Sequence, residues 1–139
     1  MQKMMLIFVT FLGVFLTACQ SASVTGETVN VDGGSYMNIS PAELGVMLDK
    51  KDFVLVNVHI PFAGNISGTD LTIPYDQINI PENLAQLPID KGAKIVLYCR
   101  SGRMSEIAAT ELVSLGYTSV WNLDGGMVEW EQAGHDIEK

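Results

Sequence analysis

Three short runs of apolar, largely β-branched residues constrain the fold of this chain more than any other feature. They read FVLVNVHI at 53–60, KIVLYC at 94–99 and TSVWNL at 118–123. The first two show little polar alternation, which is typical of strands buried on both faces of a parallel sheet. Segments with helical spacing separate the runs. The sequence therefore predicts an α/β domain with a mainly parallel central sheet flanked by helices.

Local signals mark where the helices begin and end. Ser40-Pro41-Ala42-Glu43 predicts a capped helix start with Pro at the first helical position. The segment RMSEIAATELVSLG at 103–116 has apolar residues at helical spacing and a Gly to end it. A short helix is expected near 81–87 and a last one over MVEWEQAG at 127–134. We therefore place the folded domain at residues 38–139.

Residues 1–18 predict an export signal. Lys3 precedes an apolar stretch, from Met4 to Leu16, that is too short for a comfortable membrane span. Leu16-Thr17-Ala18-Cys19 resembles the lipobox of bacterial lipoproteins, in which the Cys carries lipid and becomes the mature N-terminus. The alternative is an ordinary signal peptide, or a short anchor helix, with an incidental Cys.

Residues 19–37 are polar and rich in Gly and Ser, so we expect a flexible tether, although 29–31 could add a short edge strand. Acyl chains on Cys19 would hold the protein at a membrane surface. The expected location is extracytoplasmic, lipid-anchored to a bacterial membrane on its periplasmic side or at the cell surface.

Composition excludes several classes of function. A chain of 139 residues has room for one domain, and 16 acidic against 8 basic residues, without a basic stripe, argue against a nucleic-acid partner.

His59 and His135 are distant from each other and more typical of surface or packing positions than of a metal site or a catalytic base. Gly125-Gly126 is too short for a dinucleotide fingerprint. We expect a monomer with no metal and no cofactor.

The most informative segment is YCRSGRMS at 98–105. The chain has only two arginines, Arg100 and Arg103, and both lie within four residues of Cys99. Cys99 ends a predicted strand shortly before a helix begins, at the edge of the sheet where α/β proteins bind ligands. Backbone N–H groups of a tight loop at Gly102, the helix dipole and two guanidinium groups would all favour a thiolate.

This pattern predicts an activated nucleophile that acts on an anionic substrate. If Cys19 carries lipid, Cys99 is the only free thiol, and it is either buried and inert or reactive. The predicted catalytic residue is Cys99, and the predicted substrate-binding residues are Arg100, Ser101, Gly102, Arg103, Met104 and Ser105.

The segment IVLYCRSGRMSEIAATELVSLGYTSVWNLDGGMVEWEQAG resembles the C-terminal half of a single-domain rhodanese, a thiosulfate sulfurtransferase-like protein. The resemblance spans roughly residues 38–135 and is strongest over 94–134. It implies a rhodanese-like three-layer domain and a two-step reaction. Cys99 would take sulfane sulfur from thiosulfate or polysulfide, release sulfite in the case of thiosulfate, and pass the sulfur from a persulfide to cyanide or a thiol.

The sequence also departs from the family pattern. Many relatives have Arg where this chain has Met104, which puts the preferred donor in question. Asn57-Val58-His59 stands where the family commonly has Asp-Val-Arg, at a position that we interpret as structural.

The loop argues against one other interpretation and leaves a second one open. A cysteine-dependent phosphatase would have Arg six residues after the Cys, where this chain has Ser105. A non-catalytic rhodanese-like binding module, or a sulfur carrier for a protein partner, could use the same loop without turnover. Fold alone does not decide between a module and an enzyme.

Overall fold

The computed structural model describes residues 23–139. The predicted signal peptide and the proposed lipid-bearing Cys19 lie outside the described residues. In chain order the elements are β1 (Glu27–Val31), β2 (Gly34–Ile39), α1 (Pro41–Asp49), β3 (Val54–Asn57), β4 (Asn65–Ile66), β5 (Leu71–Thr72), a 3-10 turn (Tyr75–Gln77), α2 (Pro81–Leu84), β6 (Ile95–Tyr98), α3 (Arg103–Ser114), β7 (Val120–Leu123), α4 (Gly126–Gln132) and β8 (Ile137–Glu138).

Six strands form the main sheet in the order β1-β2-β7-β6-β3-β5. All neighbouring strands in it are parallel except β1 and β2, which form an antiparallel hairpin at one edge. β4 and β8 make a separate antiparallel pair. The three apolar runs of the sequence supply β3, β6 and β7, so the prediction of a mainly parallel central sheet is confirmed.

The strand β6 shows why the central strands are apolar throughout. Its side chains alternate between two cores, with Ile95 and Leu97 on one face of the sheet and Val96 and Tyr98 on the other. All four are fully buried. A strand covered on both faces has no solvent side, so the polar alternation of a half-exposed strand is absent.

Helices cover both faces of the sheet and give the three layers. The first core includes residues of α3 together with Ile78 and Leu87. The second core includes residues of α1 and α4, among them Leu44 and Trp130. The rhodanese-like α/β architecture expected from the sequence is therefore present.

The first helix begins as its sequence predicts. Ser40 Oγ accepts a hydrogen bond from Glu43 N at 3.3 Å, and Glu43 Oε2 accepts one from Ser40 N at 2.9 Å. The other Glu43 carboxylate oxygen accepts hydrogen bonds from the backbone N–H groups of Thr25 and Gly26 at 3.0 and 2.9 Å. This carboxylate therefore joins the N-terminus of α1 to the segment before β1.

The structure differs from the expected flexible tether over residues 27–37. The hairpin of β1 and β2 occupies this segment, and Gly33 makes the turn with φ +90°. β2 pairs in parallel with β7, which is more than eighty residues further along the chain, through Met37 and Trp121. The polar, glycine-rich composition suits an edge hairpin as well as a linker, because only one side of an edge strand needs apolar cover.

Two smaller details complete the comparison. The helix expected near 81–87 is confined to Pro81–Leu84 and follows the 3-10 turn. Within residues 23–139 the helices are all too short or too polar to cross a bilayer.

Candidate functional site

Cys99 directly follows the last residue of β6, near the middle of the sheet. Its side chain is 1% exposed and belongs to the core on the α3 side. The strand on one side of β6 is β3 and the one on the other is β7, so the carboxyl ends of three parallel strands meet around this sulfur. This is the edge at which open α/β sheets bind ligands.

Gly102 turns the chain after Cys99. Its φ of +105° lies in the region that L side chains avoid, and a Cβ here would have ordinary contacts, the nearest being Gly125 N at 3.5 Å. Backbone conformation, rather than lack of space, therefore requires glycine. The turn directs the Gly102 N–H to Cys99 Sγ at 3.1 Å. A donor fixed in this way stabilises negative charge on the sulfur.

Ser105 is the second group in contact with the sulfur. It is fully buried, and its Oγ lies 3.5 Å from Cys99 Sγ and 2.9 Å from the carbonyl oxygen of Gly102. A hydroxyl carries one proton, so it donates to one of these two acceptors at a time. The shorter contact favours the carbonyl until charge develops on the sulfur.

The first residues of α3 supply further N–H groups. Gly102 is the N-cap, and the first intrahelical bond runs from Glu106 N to Gly102 O at 3.0 Å. The N–H groups of Arg103, Met104 and Ser105 therefore have no partner within the helix, and they lie at its positive end. The sequence predicted N–H groups converging on Sγ, and the structure places one, from Gly102, in direct hydrogen-bonding contact.

The remaining loop side chains divide into two groups. Arg100, Ser101 and Arg103 are exposed, and within residues 23–139 neither guanidinium group forms a hydrogen bond or an ion pair. Met104 is half-buried and packs against the α3-side core. The two guanidinium groups are therefore available to bind a ligand, whereas Met104 contributes its backbone N–H group to the site.

The Gly-Gly segment before α4 holds this loop in position. Gly126 has φ +58°, and a Cβ on it would collide with Cys99 O and would lie 2.8 Å from Arg100 O. The close approach lets Met127 N donate to Cys99 O and Val128 N to Arg100 O, both at 2.9 Å. The start of α4 therefore holds two successive backbone carbonyl groups, those of Cys99 and Arg100, in place.

His59 is a site neighbour that sequence reasoning assigned to surface or packing. It lies two residues beyond β3, and its Nδ1 is buried without a hydrogen-bond partner in the described part of the chain. Burial, and then the positive charge of Arg100, lower its pKa from 6.5. The position of His59 just after β3, which neighbours β6, was the sequence feature that could have placed it near the site.

Asn57, in the same segment, has the structural role that the sequence suggested. Its Nδ2 donates to Gly64 O and to Asn65 Oδ1, both at 2.9 Å, and its Oδ1 accepts from His59 N at 3.0 Å. These bonds shape the loop after β3. His135, by contrast, stacks on Trp130 with ring centroids 3.9 Å apart, away from the sulfur contacts.

A cavity of about 200 Å³ lies beside the loop and is lined by Ala63, Arg100, Met127, Glu131, Ile137 and Lys139. Sequence reasoning did not identify its last four residues as neighbours of the site, because α4 and the segment of β8 and Lys139 bring them there. Over residues 23–139, His, Cys, Asp and Glu side chains do not gather in groups of three or more that could hold a metal ion.

Comparison with known proteins gives the family. The model of the rhodanese-like domain matches residues 40–133. The thiosulfate sulfurtransferase GlpE of Pseudoalteromonas translucida is 31% identical over 102 residues, which are 71% of this chain and 92% of that protein. The tRNA uridine(34) hydroxylase of Cytophaga hutchinsonii is 30% identical over 106 residues, which are 73% of this chain. The chain spans about a third, 34%, of the hydroxylase's length.

Solved structures agree. A rhodanese-like domain protein from Staphylococcus aureus is 27% identical, with a TM-score of 0.57, over 73% of this chain and 98% of that one. A Rhodopseudomonas palustris protein of unknown function, described as a possible tyrosine phosphatase, is 25% identical with a TM-score of 0.62, over 73% of this chain and 83% of that one. On fold, loop and sequence, the chain belongs to the rhodanese-like domain family.

Proposed function

We propose that the protein is a sulfurtransferase that moves sulfane sulfur through a persulfide on Cys99. The observation that carries the proposal is the contact of Gly102 N–H and Ser105 Oγ with the sulfur at the start of α3. A structural thiol in an apolar core needs neither donor. Donors fixed around a sulfur, at a helix N-terminus, are what an activated thiolate requires.

Thiosulfate is the proposed donor. The Cys99 thiolate attacks its outer sulfur, the S–S bond of thiosulfate breaks, and sulfite leaves with the electron pair. The enzyme keeps a persulfide, and total charge is conserved. Arg100 and Arg103, exposed and without ion-pair partners in the described part of the chain, attract the dianion to a protein of net charge -8.

The persulfide places its new charge on the outer sulfur, one bond beyond Sγ. The N–H groups of Arg103, Met104 and Ser105, which have no partner within α3, are available to that atom. An acceptor such as cyanide or a thiol then attacks the outer sulfur and returns the electron pair of the S–S bond to Sγ. Covalent catalysis thereby divides one transfer into two steps.

The family relatives favour this function over the alternatives. A relative that this chain matches over 92% of that protein's length is named as a thiosulfate sulfurtransferase, whereas the match covers 34% of the hydroxylase. A phosphatase loop would need Arg at the position of Ser105, which is fully buried against the sulfur. A binding module or sulfur carrier would keep the fold without turnover, and the experiment below separates the two.

The N-terminal sequence supports a location. Export followed by lipidation is supported by Lys3, the apolar stretch after it and the segment ending in Cys19. We place the domain, as a monomer, on the outer side of a bacterial membrane. An extracytoplasmic sulfurtransferase would meet small anionic donors directly.

Intact mass spectrometry of residues 20–139 tests the proposal, because that chain contains Cys99 as its only thiol. Reduced protein incubated with thiosulfate is expected to gain one sulfur atom, and Cys99→Ser is expected to gain none while keeping its circular dichroism spectrum. Subsequent cyanide should remove the added sulfur and yield thiocyanate over many cycles. Loading without turnover would indicate a carrier. No loading by thiosulfate or polysulfide would refute the persulfide.

A further inference from the structure

The cavity beside the loop carries two charged residues that the proposed reaction does not yet use, Glu131 and Lys139, next to Arg100, which that reaction assigns to the donor. Arg100, Glu131 and Lys139 line it together with the apolar Ala63 and Met127. None of the three forms an ion pair among residues 23–139, where the ion pairs present are Lys51–Asp70 and Lys94–Asp52. Two basic residues and one acidic residue therefore line the same small cavity without forming ion pairs with one another.

The wall that carries Lys139 is a built part of the fold. β8 pairs with β4 through Ile137 and Ile66. β4 is in turn held by the Tyr98 hydroxyl, which accepts a hydrogen bond from Ile66 N at 3.0 Å. Trp130 Nε1 donates to Asp136 O at 3.3 Å. The segment after α4 is thus fastened at two places beside the cavity.

Gly64 shows how closely this wall packs. It has φ +109°, and a Cβ on it would lie 2.5 Å from Ile137 Cγ2 and 2.7 Å from Glu138 O. Glycine is required here both by conformation and by space. Because glycine is needed for β8 to approach this closely, the fold fixes the position of β8 and of Lys139, which follows it.

The cavity lies beside the backbone of Cys99. Arg100 follows Cys99 in sequence, and Met127 N donates a hydrogen bond to Cys99 O at 2.9 Å. Its volume of about 200 Å³ suits a small molecule, being below the roughly 300–1,000 Å³ of pockets for drug-sized ligands. Carboxylates pair with Arg and Lys, and ammonium groups pair with Glu.

We propose that this cavity binds the α-amino-acid head of a low-molecular-weight thiol, which is the sulfur acceptor. Arg100 and Lys139 take its carboxylate, and Glu131 takes its ammonium group. The inference rests on the proposed function and names the acceptor class for the same site. The acceptor reacts as a thiolate, after its proton has passed to solvent. It attacks the outer sulfur of the Cys99 persulfide, which takes up a proton from solvent as the S–S bond breaks toward Sγ, so that the product is a neutral persulfide and Sγ is again a thiolate.

Binding of the head is tested on unloaded full-length protein, independently of sulfur transfer. The probe is S-methyl-L-cysteine, which has the head but cannot accept sulfur. NMR titration is expected to shift the backbone signals of Met127, Glu131 and Lys139 in a saturable manner, with affinity reduced about tenfold in Glu131→Gln. Absence of saturable shifts, or equal affinity in the variant, would overturn the proposal whether or not Cys99 forms a persulfide.

Acceptor kinetics on persulfide-loaded enzyme provide the second test. Glu131→Gln is expected to lower the second-order rate constant about tenfold for L-cysteine and for cysteamine, and to leave 3-mercaptopropionate and cyanide unchanged. Lys139→Gln should lower it for L-cysteine and 3-mercaptopropionate, and leave cysteamine and cyanide unchanged. Each acceptor is compared between enzymes, so the intrinsic reactivity of its thiol cancels. Equal effects on all four acceptors, or none, would contradict the assignment, while failure of loading itself would count against the persulfide alone.

Discussion

At the scale of single residues, the proposed sulfur transfer relies on a few donors around one sulfur. Ser105 is the clearest case, because its hydroxyl is fully buried and has only the sulfur and one carbonyl oxygen within reach. As charge develops on Sγ, the proton can turn from the carbonyl to the sulfur without movement of the backbone. The donor is therefore positioned before the reaction begins.

Replacing this hydroxyl tests its role. Ser105→Ala is expected to lower kcat for transfer from thiosulfate to cyanide about tenfold, below the effect of a full oxyanion donor, because the contact to sulfur is long. Steady-state kinetics measure it. Ser114→Ala, also in α3 but exposed, is the matched control and should keep the wild-type rate. An unchanged kcat in Ser105→Ala would assign the hydroxyl to packing alone.

The residue scale also shows where sequence reasoning stops. Cys99, Gly102 and Ser105 were predictable because they lie within seven consecutive residues between a strand and a helix. His59 and Lys139 were not, since they approach Arg100 from other parts of the chain. Such neighbours depend on how distant segments pack, and local patterns do not encode that.

At the scale of elements, the start of α4 holds the loop. Gly126→Ala is expected to lower the free energy of unfolding by about 2–3 kcal/mol, because the new Cβ meets Cys99 O in a backbone conformation that disfavours side chains. Gly134→Ala has the same unfavourable sign of φ but open space around it, so it should cost about 1–2 kcal/mol.

Urea denaturation of the two glycine variants makes the comparison. The folded fraction of Gly126→Ala should also lose activity, as the displaced Cys99–Arg100 peptide carries the nucleophile with it. If both variants lose the same stability and activity, the close approach of α4 to the loop has no special role.

A second element-scale prediction concerns the N-terminus of α1. Hydrogen bonds from Ser40 N, and then from Gly26 N, lower the pKa of Glu43 from 4.5 to about 2. A depressed carboxylate stabilises the fold fully above the unfolded pKa of 4.5, and this contribution is lost as pH falls through about 2. Glu43→Gln should therefore weaken the pH dependence of stability over that window.

Stability measurements at several pH values check this. Glu43→Gln is expected to lower the free energy of unfolding at pH 7 by about 1 kcal/mol, a small value because solvent screens the partly exposed carboxylate. Glu27→Gln, on the exposed part of β1, should change it by less than about 0.5 kcal/mol. Parallel pH profiles for wild type and Glu43→Gln would contradict the assigned cause.

The elements themselves differ in how far sequence patterns predicted them. β3, β6 and β7 were predictable because burial on both faces leaves continuous apolar runs. The hairpin of β1 and β2 was expected to be tether, apart from a short edge strand that 29–31 could add, because its polar and glycine-rich residues resemble a linker. Its place is set by pairing with β7, a contact across more than eighty residues that no local signal announces.

At the scale of the whole molecule, we propose that the N-terminus directs the domain to a membrane surface. Expressed in a bacterium, the full chain is expected in the membrane fraction, and Cys19→Ser is expected to abolish lipid labelling and the processing that depends on it. Fractionation and metabolic labelling with a fatty acid measure this. Label that persists in Cys19→Ser, or is absent from wild type, would refute lipidation at this residue.

In the proposed extracytoplasmic location, the depth of Cys99 would affect the order of events. At 1% exposure, Sγ is shielded from bulky thiols and disulfides, so a mixed disulfide or a link between two copies would form slowly. Thiosulfate presents a slender terminal sulfur that can enter. Once transferred, that sulfur stands about 2 Å further out, the length of one S–S bond. A larger acceptor would therefore reach the transferred sulfur only after the donor has reacted. The same burial would protect the thiol of the resting enzyme from forming mixed disulfides.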